Sequence, residues 1–388
     1  MRSGYKRIGK YVKQVNARNK DLSVTTLQGV SINKEFMPSV ANVHGTDMSK
    51  YKVVARKQFA FNPMHVGRDE VLPISMLEEV ESVIVSPAYV VFEIKDENEL
   101  LPEYLMMWCR RPEFDRNAWF TTDSSVRGGF SWNDFCEMEL PVPSPEKQRE
   151  IVKEYHTIVD RIRLNEQLNL KLEETAQVIY KQWFENWQEK GCETKALSEL
   201  CELITDGKHG DCVNQTGSGY YFVSVKDIND GDIRYENARQ ITKKDFLETH
   251  KRTKFSAGDI VFTNTGTIGR MAIAKDMPET ERTTFQKSVA ILKPKSGVSK
   301  SCYLYCLLNS GLREIRELAG GTSQSNLLLG DFRMFEIQYP GFLSVCEFEK
   351  TVAPIFQSIH IKLESNKKLL VMREILLARI STMRTTQT

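Results

Sequence analysis

Apolar positions that step by three and four residues run through two long stretches of this chain. In the first, Ile151, Tyr155, Ile158, Ile162, Asn165, Asn169, Leu172, Ala176, Ile179 and Trp183 trace one face of a helix. The segment Ser144 to Trp187 contains no glycine and no interior proline after its opening "SPEK", where Pro145 suits a first helical turn. A second stretch repeats the pattern through Val352, Phe356, Ile359, Leu363, Asn366, Leu370, Arg373, Leu377 and Ile380. The spacing predicts two long helices with a coiled-coil seam, whose outer positions (Lys153, Glu154, Arg161, Arg163, Lys171, Glu173) alternate in charge as a wet face does.

The stretches before each helix match one another too. "DFCEMELPVP" (Asp134 to Pro143), read as a strand with a proline-marked exit, returns as "DFRMFEIQYP" (Asp331 to Pro340). "FNPMHVGR" (Phe61 to Arg68) parallels "FTNTGTIGR" (Phe262 to Arg270), and "EYLMMWC" (Glu103 to Cys109) parallels "CYLYCLL" (Cys302 to Leu308). The order is the same in both copies, with offsets near 200 residues, so the chain reads as an internal duplication. Short β-branched runs such as "SVIVSPAYVVFEI" and "GDIVFTNTG" predict strands, whereas "LPEYLMMWCRR" and "CYLYCLLNSGLREIRELA" predict helices. The fold class is therefore α+β: two mixed domains at 1–143 and 191–343, and two long helices at 144–190 and 344–388.

Each domain precedes its own helix, so an antiparallel seam would place the domains at opposite ends with an approximate two-fold axis between them. A helix of some 40 residues would be about 60 Å long, more than one turn of B-DNA at about 34 Å. A parallel pairing would instead gather both domains at one end. The seam set for pairing is Ile151, Ile158, Ile162, Asn165, Leu172 and Ile179 on one helix and Val352, Phe356, Ile359, Leu363, Asn366 and Leu370 on the other. Asn165 and Asn366 occupy the same seam position, where an amide either fixes register or marks a frayed stretch.

With 388 residues, 41% hydrophobic and 27% charged, the chain has the composition of an ordinary globular protein large enough for two cores. Its start lacks the apolar centre of a secretory leader and no run of 18 uncharged apolar residues occurs, so the cytoplasm is the expected location. The eight cysteines form no Cys-x-x-Cys pair, and Cys201, His209 and Cys212 fit no zinc pattern. Net charge is only +2, yet the first 20 residues carry seven basic and no acidic side chains. "NPMH" lacks the aromatic ring of an adenine methyltransferase signature, and no Gly-x-x-x-x-Gly-Lys-Ser/Thr run is present.

Together the duplication, the "LSELCELITDGKHGD" opening (Leu197 to Asp211), "GGTSQSNLLLGDF" (Gly320 to Phe332) and "NEQLNLKLEETAQVIYKQWF" (Asn165 to Phe184) resemble the specificity subunit of type I restriction-modification systems. The resemblance covers essentially the whole chain. In the first half, "RIGKYVKQVNARNKD" and "SSVRGGFSW" fit it less well than their counterparts. It implies two target-recognition domains reading a bipartite, asymmetric DNA sequence, and a chain with no catalysis and no bound cofactor or metal of its own. It implies partners as well: two methyltransferase subunits using S-adenosylmethionine, and motor-nuclease subunits using ATP and Mg. A methyltransferase or nuclease with unrecognised signatures, and a protein-binding coiled-coil adaptor, are the alternatives.

Base reading calls for paired donors and acceptors on loops. The candidates in the second domain are Lys208, His209, Asn264, Thr265, Arg270, Ser323, Gln324, Ser325 and Asn326; in the first they are Arg7, Lys13, Asn62, Arg68, Ser125 and Arg127. Arg68 and Arg270 are open to a second reading as structural ion pairs, and "GGTSQSN" as a plain surface loop. Tyr180, Trp183, Phe184 and Trp187 read as core between helix and domain or as a docking face for partners.

Overall fold

The computed structural model describes residues 5–39, 45–64, 66–122, 129–184, 193–320 and 325–381. The chain divides into two compact units, Met1–Arg163 with Lys367–Thr388, and Leu164–Asn366. Each contains one mixed domain and a length of both long helices, Pro145–Phe184 and Phe342–Ile380.

The two domains repeat one topology. In the first unit a four-stranded antiparallel sheet runs in the order Val12–Val15, Val90–Ile94, Phe59–Phe61, Ile74–Met76. The second unit's sheet has the order Cys201–Asp206, Val289–Pro294, Ile260–Thr263, Met271–Ile273. In both, the entering strand pairs antiparallel with the strand leaving for the long helix, Tyr5 opposite Pro141 and Glu193 opposite Tyr339. The apolar helix after each central strand also recurs, as Pro102–Cys109 and Ser301–Ser310. Bulky apolar side chains at alternate strand positions explain the cores: Phe59, Phe61 and Phe92 are fully buried in the first, Ile260, Phe262 and Leu292 in the second.

The repeated Asp-Phe stretch is not one strand. In the first unit Ser131 and Asp134 form a capping box, Asp134 N–H to Ser131 Oγ at 3.1 Å and Ser131 N–H to Asp134 Oδ2 at 2.8 Å, which starts the helix Trp132–Glu137. Only Glu139–Pro141 is strand, and the second copy likewise turns from the helix Leu329–Arg333 to the strand Glu336–Tyr339. The buried rings of Phe135 and Phe332 account for the helical half of the motif.

Within the second unit the helices run antiparallel. Asn165 Nδ2 donates to Asn366 Oδ1 at 2.7 Å, while Tyr180, Trp183 and Phe184 meet Phe348 at ring separations of 5.7, 5.8 and 5.3 Å. Val352, Phe356 and Ile359 are buried in the same core, with Leu172, Ile179 and Leu363 packed against it. Tyr180, Trp183 and Phe184 thus sit in core; Trp187 lies outside the described residues. In the first unit Ile151 and Tyr155, near the start of one helix, share a core with Leu376, Leu377 and Ile380 near the end of the other, flanked by Ile158; Ile162 is buried as well. Leu370 departs from its expected place, being 39% exposed, whereas Leu377 and Ile380 of the same seam are buried together with Leu376.

A paired device ties each domain to its long helix. Gln148, wholly buried, accepts from Leu101 N–H at 2.9 Å and donates through Nε2 to the carbonyls of Glu99 and Pro143, both at 2.9 Å. It thereby caps the helix Pro102–Cys109. At the equivalent position, 201 residues on, Glu349 accepts from Cys302 and Tyr303 N–H at 3.2 and 3.0 Å and caps Ser301–Ser310. No helix among the described residues is long and apolar enough to cross a membrane.

Candidate nucleic-acid interface

In the second unit four segments that are distant in sequence are hydrogen-bonded into one row. The strand Cys201–Asp206 ends in Gly207, where a Cβ would lie 2.0 Å from the Phe285 carbonyl oxygen, so only glycine lets the chains pass. Lys208 N–H donates to that oxygen at 2.7 Å, and Asn264 N–H donates to Ser288 O at 3.0 Å. Leu327 N–H donates to Asn264 O at 2.8 Å, Gly266 N–H to Ser325 O at 2.9 Å, and Thr265 Oγ1 to Asn326 Oδ1 at 2.8 Å. The loops carrying Asn264 and Thr265 and carrying Ser325 and Asn326, chosen separately from the sequence, therefore form one surface.

The hairpin behind this row is fixed by backbone geometry. Gly269 adopts φ +96, and a Cβ there would strike Leu312 Cδ1 at 2.3 Å. Thr263 closes the loop by accepting from Arg270 N–H at 2.9 Å on its Oγ1. Asn264 is 5% exposed; its Nδ2 donates to Leu327 O at 3.4 Å and its Oδ1 is buried without a partner. A buried acceptor left unmet is costly and marks a place where a donor is missing.

Several candidate cations are already engaged. Arg270 Nη1 donates to the carbonyls of Val225 and Ile228 at 3.2 and 3.4 Å, which makes it a brace between strand and loop rather than a free arm or half of an ion pair. Lys208 lies 3.5 Å from Asp245 and 3.7 Å from Glu248 with its side chain largely buried. The Val213 N–H, the Thr242 hydroxyl and then the Lys208 ammonium hold the Asp245 carboxyl below the usual carboxylate range. His209 Nε2 is 2.7 Å from Asp206 Oδ2, and the ring remains exposed.

The first unit shows the same plan with other residues. Phe130 N–H donates to Pro63 O at 2.9 Å, so the loop that begins at Asn62 meets the segment preceding the helix Trp132–Glu137. Asn62 Oδ1 accepts from Met64 N–H at 3.0 Å and shapes its own turn. Arg7 pairs with Glu137 at 3.0 Å and Lys13 with Glu93 at 2.9 Å. Arg68 belongs to the short helix Val66–Asp69; Ser125, Arg127, Ser323 and Gln324 lie outside the described residues.

One element escaped the reading of the sequence. The segment "TKKDFLETHKRTK" forms the helix Lys243–Thr253, with Thr242 Oγ1 accepting from Asp245 N–H at 3.2 Å as its cap. The Thr-x-x-Asp spacing before an amphipathic run was the available signal. Among the described residues, no group of three or more His, Cys, Asp or Glu could hold a metal ion. The row presents hydroxyl and amide groups, those of Thr265 and Asn326 among them, of the kind suited to base edges.

Comparison with known proteins agrees with this geometry. Residues 189–369 match the family described as Type I restriction modification DNA specificity domain. The chain is 25% identical over 258 residues to the Type I restriction enzyme MjaIX specificity subunit of Methanocaldococcus jannaschii, covering 62% of this chain and 58% of that one. It is 24% identical over 180 residues to the Type I restriction enzyme HindI specificity subunit of Haemophilus influenzae, covering 45% and 38%. The matched stretches thus span less than two thirds of these relatives' lengths. The fold is similar to the crystal structure of a Type-I restriction-modification system S subunit from M. genitalium, at TM-score 0.55 and 14% identity over 97% of this chain and 95% of that one. Through residues 189–369 above all, the chain is thus similar to type I restriction-modification specificity subunits.

Proposed function

We propose that this chain is a non-catalytic DNA-reading subunit whose two domains each recognise one half of a bipartite, asymmetric target. The observation that carries the proposal is the repetition of one sheet topology beneath unlike surfaces. Asn264, Thr265, Ser325 and Asn326 line the second unit's row, while the first unit's corresponding junction is made by Asn62, Pro63 and Phe130. Equal scaffolds with unequal reading residues suit a target whose halves differ. Further parts of the proposal are two methyltransferase subunits and motor-nuclease subunits as partners, and S-adenosylmethionine, ATP and Mg handled by those partners, with none bound by this chain.

The test is to sequence methylated adenines in cells that carry this chain together with its methyltransferase. A split motif with different halves, absent when the chain is deleted, is the expected result. Methylation that continues unchanged without the chain would refute the reading.

A further inference from the structure

We propose that the helix Lys243–Thr253 is a phosphate-backbone clamp of the second domain, with no counterpart among the described residues of the first. The proposal rests on the DNA-reading function above and assigns the residues that supply sequence-independent affinity. The helix is amphipathic: Phe246, Thr249 and Thr253 are buried, and Phe246 stacks at 4.9 Å on Tyr220 and on His250. Its opposite face exposes Lys243, Lys244 and Lys251, with Arg252 and the left-handed cap Lys254 at φ +43 completing the run. In an α-helix, residues four apart stack on one face, so Lys243, Leu247 and Lys251 form a stripe flanked by Lys244.

What distinguishes this run from an ordinary solvated face is where its acids point. Both carboxylates of the helix, Asp245 and Glu248, lie beside Lys208, at 3.5 and 3.7 Å, and so leave the lysine stripe uncompensated. Among the described residues the ammonium groups of Lys243, Lys244, Lys251 and Lys254 meet no carboxylate. The helix is also joined to the reading row. Arg252 lies 3.3 Å from Asp206 Oδ1, donates to Asp206 O at 2.9 Å and contacts Gly207 O, the residues from which Lys208 and His209 follow. Cations held next to base-reading groups by such a brace are placed for the phosphates flanking the bases read.

In the first unit the equivalent place, ahead of the strand Phe59–Phe61, contains among the described residues the single turn Met48–Lys50. Lys50 there pairs with Asp47 at 3.6 Å, and Lys52 is buried with its ammonium on the Tyr89 carbonyl. Nearby Arg56 and Lys57 are paired with Glu81 and Glu97 at 3.3 and 2.6 Å. Among the described residues the first unit thus shows no lysine stripe of this kind at the equivalent place.

The experiment measures binding of the full-length chain to a duplex containing its enriched site, between about 50 and about 200 mM salt. The wild type is compared with two variants at Lys243, Lys244 and Lys251, one with all three changed to Gln and one with all three changed to Arg. Releasing three phosphate contacts lowers the slope of log affinity against log salt by about 2.7. The Gln variant should show that drop with an unchanged enriched motif, and the Arg variant should keep the wild-type slope. A Gln variant with wild-type slope overturns the clamp, even if its melting temperature falls, because last-turn cations also stabilise a helix end. Loss of particular bases from the motif also overturns it, since that would make these residues base readers. Absence of salt-dependent duplex binding by the wild type would instead sink the DNA-reading function beneath it.

Discussion

Asn165 and Asn366 meet amide to amide at 2.7 Å inside the second unit, 201 residues apart in sequence and at the same position of the duplicated helix. Each is almost wholly buried. A buried amide without its partner costs about 1 to 3 kcal/mol. Asn165→Leu alone should therefore speed amide hydrogen exchange in segments 164–184 and 342–366. The double change to Leu should restore protection while relaxing the register, as an Asn pair in a helical seam specifies alignment more than it stabilises. Equal protection in wild type and single variant would show that the pair does nothing for the seam.

Gln148 and Glu349 make an equally specific prediction. Each supplies acceptors to the first turn of its domain's apolar helix, and loss of a cap of this kind costs about 1 to 2 kcal/mol. Gln148→Ala should loosen the start of Pro102–Cys109, and Glu349→Ala the start of Ser301–Ser310, as read by exchange at Leu101 and at Cys302 and Tyr303. If either change left those amides as protected as before, the helix would owe its start to packing alone.

Glu173 gives a pH signature. Burial, followed by the nearby Asp230 carboxylate, raises its carboxyl above the usual range, and its Oε1 would lie 2.8 Å from a Cβ added at Gly231. A raised folded-state value means the folded protein prefers the protonated acid. That preference is fully satisfied below the unfolded value and becomes a cost as pH rises through the folded one. Glu173→Gln should melt at higher temperature than wild type near neutral pH, with the gain vanishing on acidification below the ordinary glutamate range. A gain that grew toward acid would contradict this sign.

Lys34 and Asp115 form a buried pair at 2.7 Å in the first unit. Burial pushes the ammonium down and the carboxyl up, and their attraction opposes both shifts. Asp115 Oδ1 also accepts from Leu72 N–H at 3.1 Å. Removing one partner strands a buried charge, which costs about 3 to 5 kcal/mol. Lys34→Met should lower the denaturation midpoint of the first unit sharply, and Lys34→Met with Asp115→Leu should recover part of the loss. A single change as mild as a surface substitution would show the pair to be incidental.

The duplication, both long helices and most of the seam were legible because apolar periodicity is a property of the chain itself. Leu370 was misplaced, being exposed while Leu377 and Ile380 of the same seam are buried, and Leu376 beside them was not on the seam at all. The joining of Asn264 and Thr265 with Ser325 and Asn326 could not be read, since it depends on which loops the sheet brings together. Lys208 and Arg270 looked available for DNA, yet Asp245, Glu248 and two main-chain carbonyls occupy them. Such partners, contributed from 37 to 45 residues away, leave no local pattern.

The most direct measurement is an exchange of reading domains. Residues 192–343 are replaced by those of another specificity subunit with a known target, and methylated sites are sequenced in cells supplying the same methyltransferase. One half of the motif should change to the donor's while the other half stays as it was. A motif altered in both halves, or in neither, would contradict the assignment of one half-target to each domain.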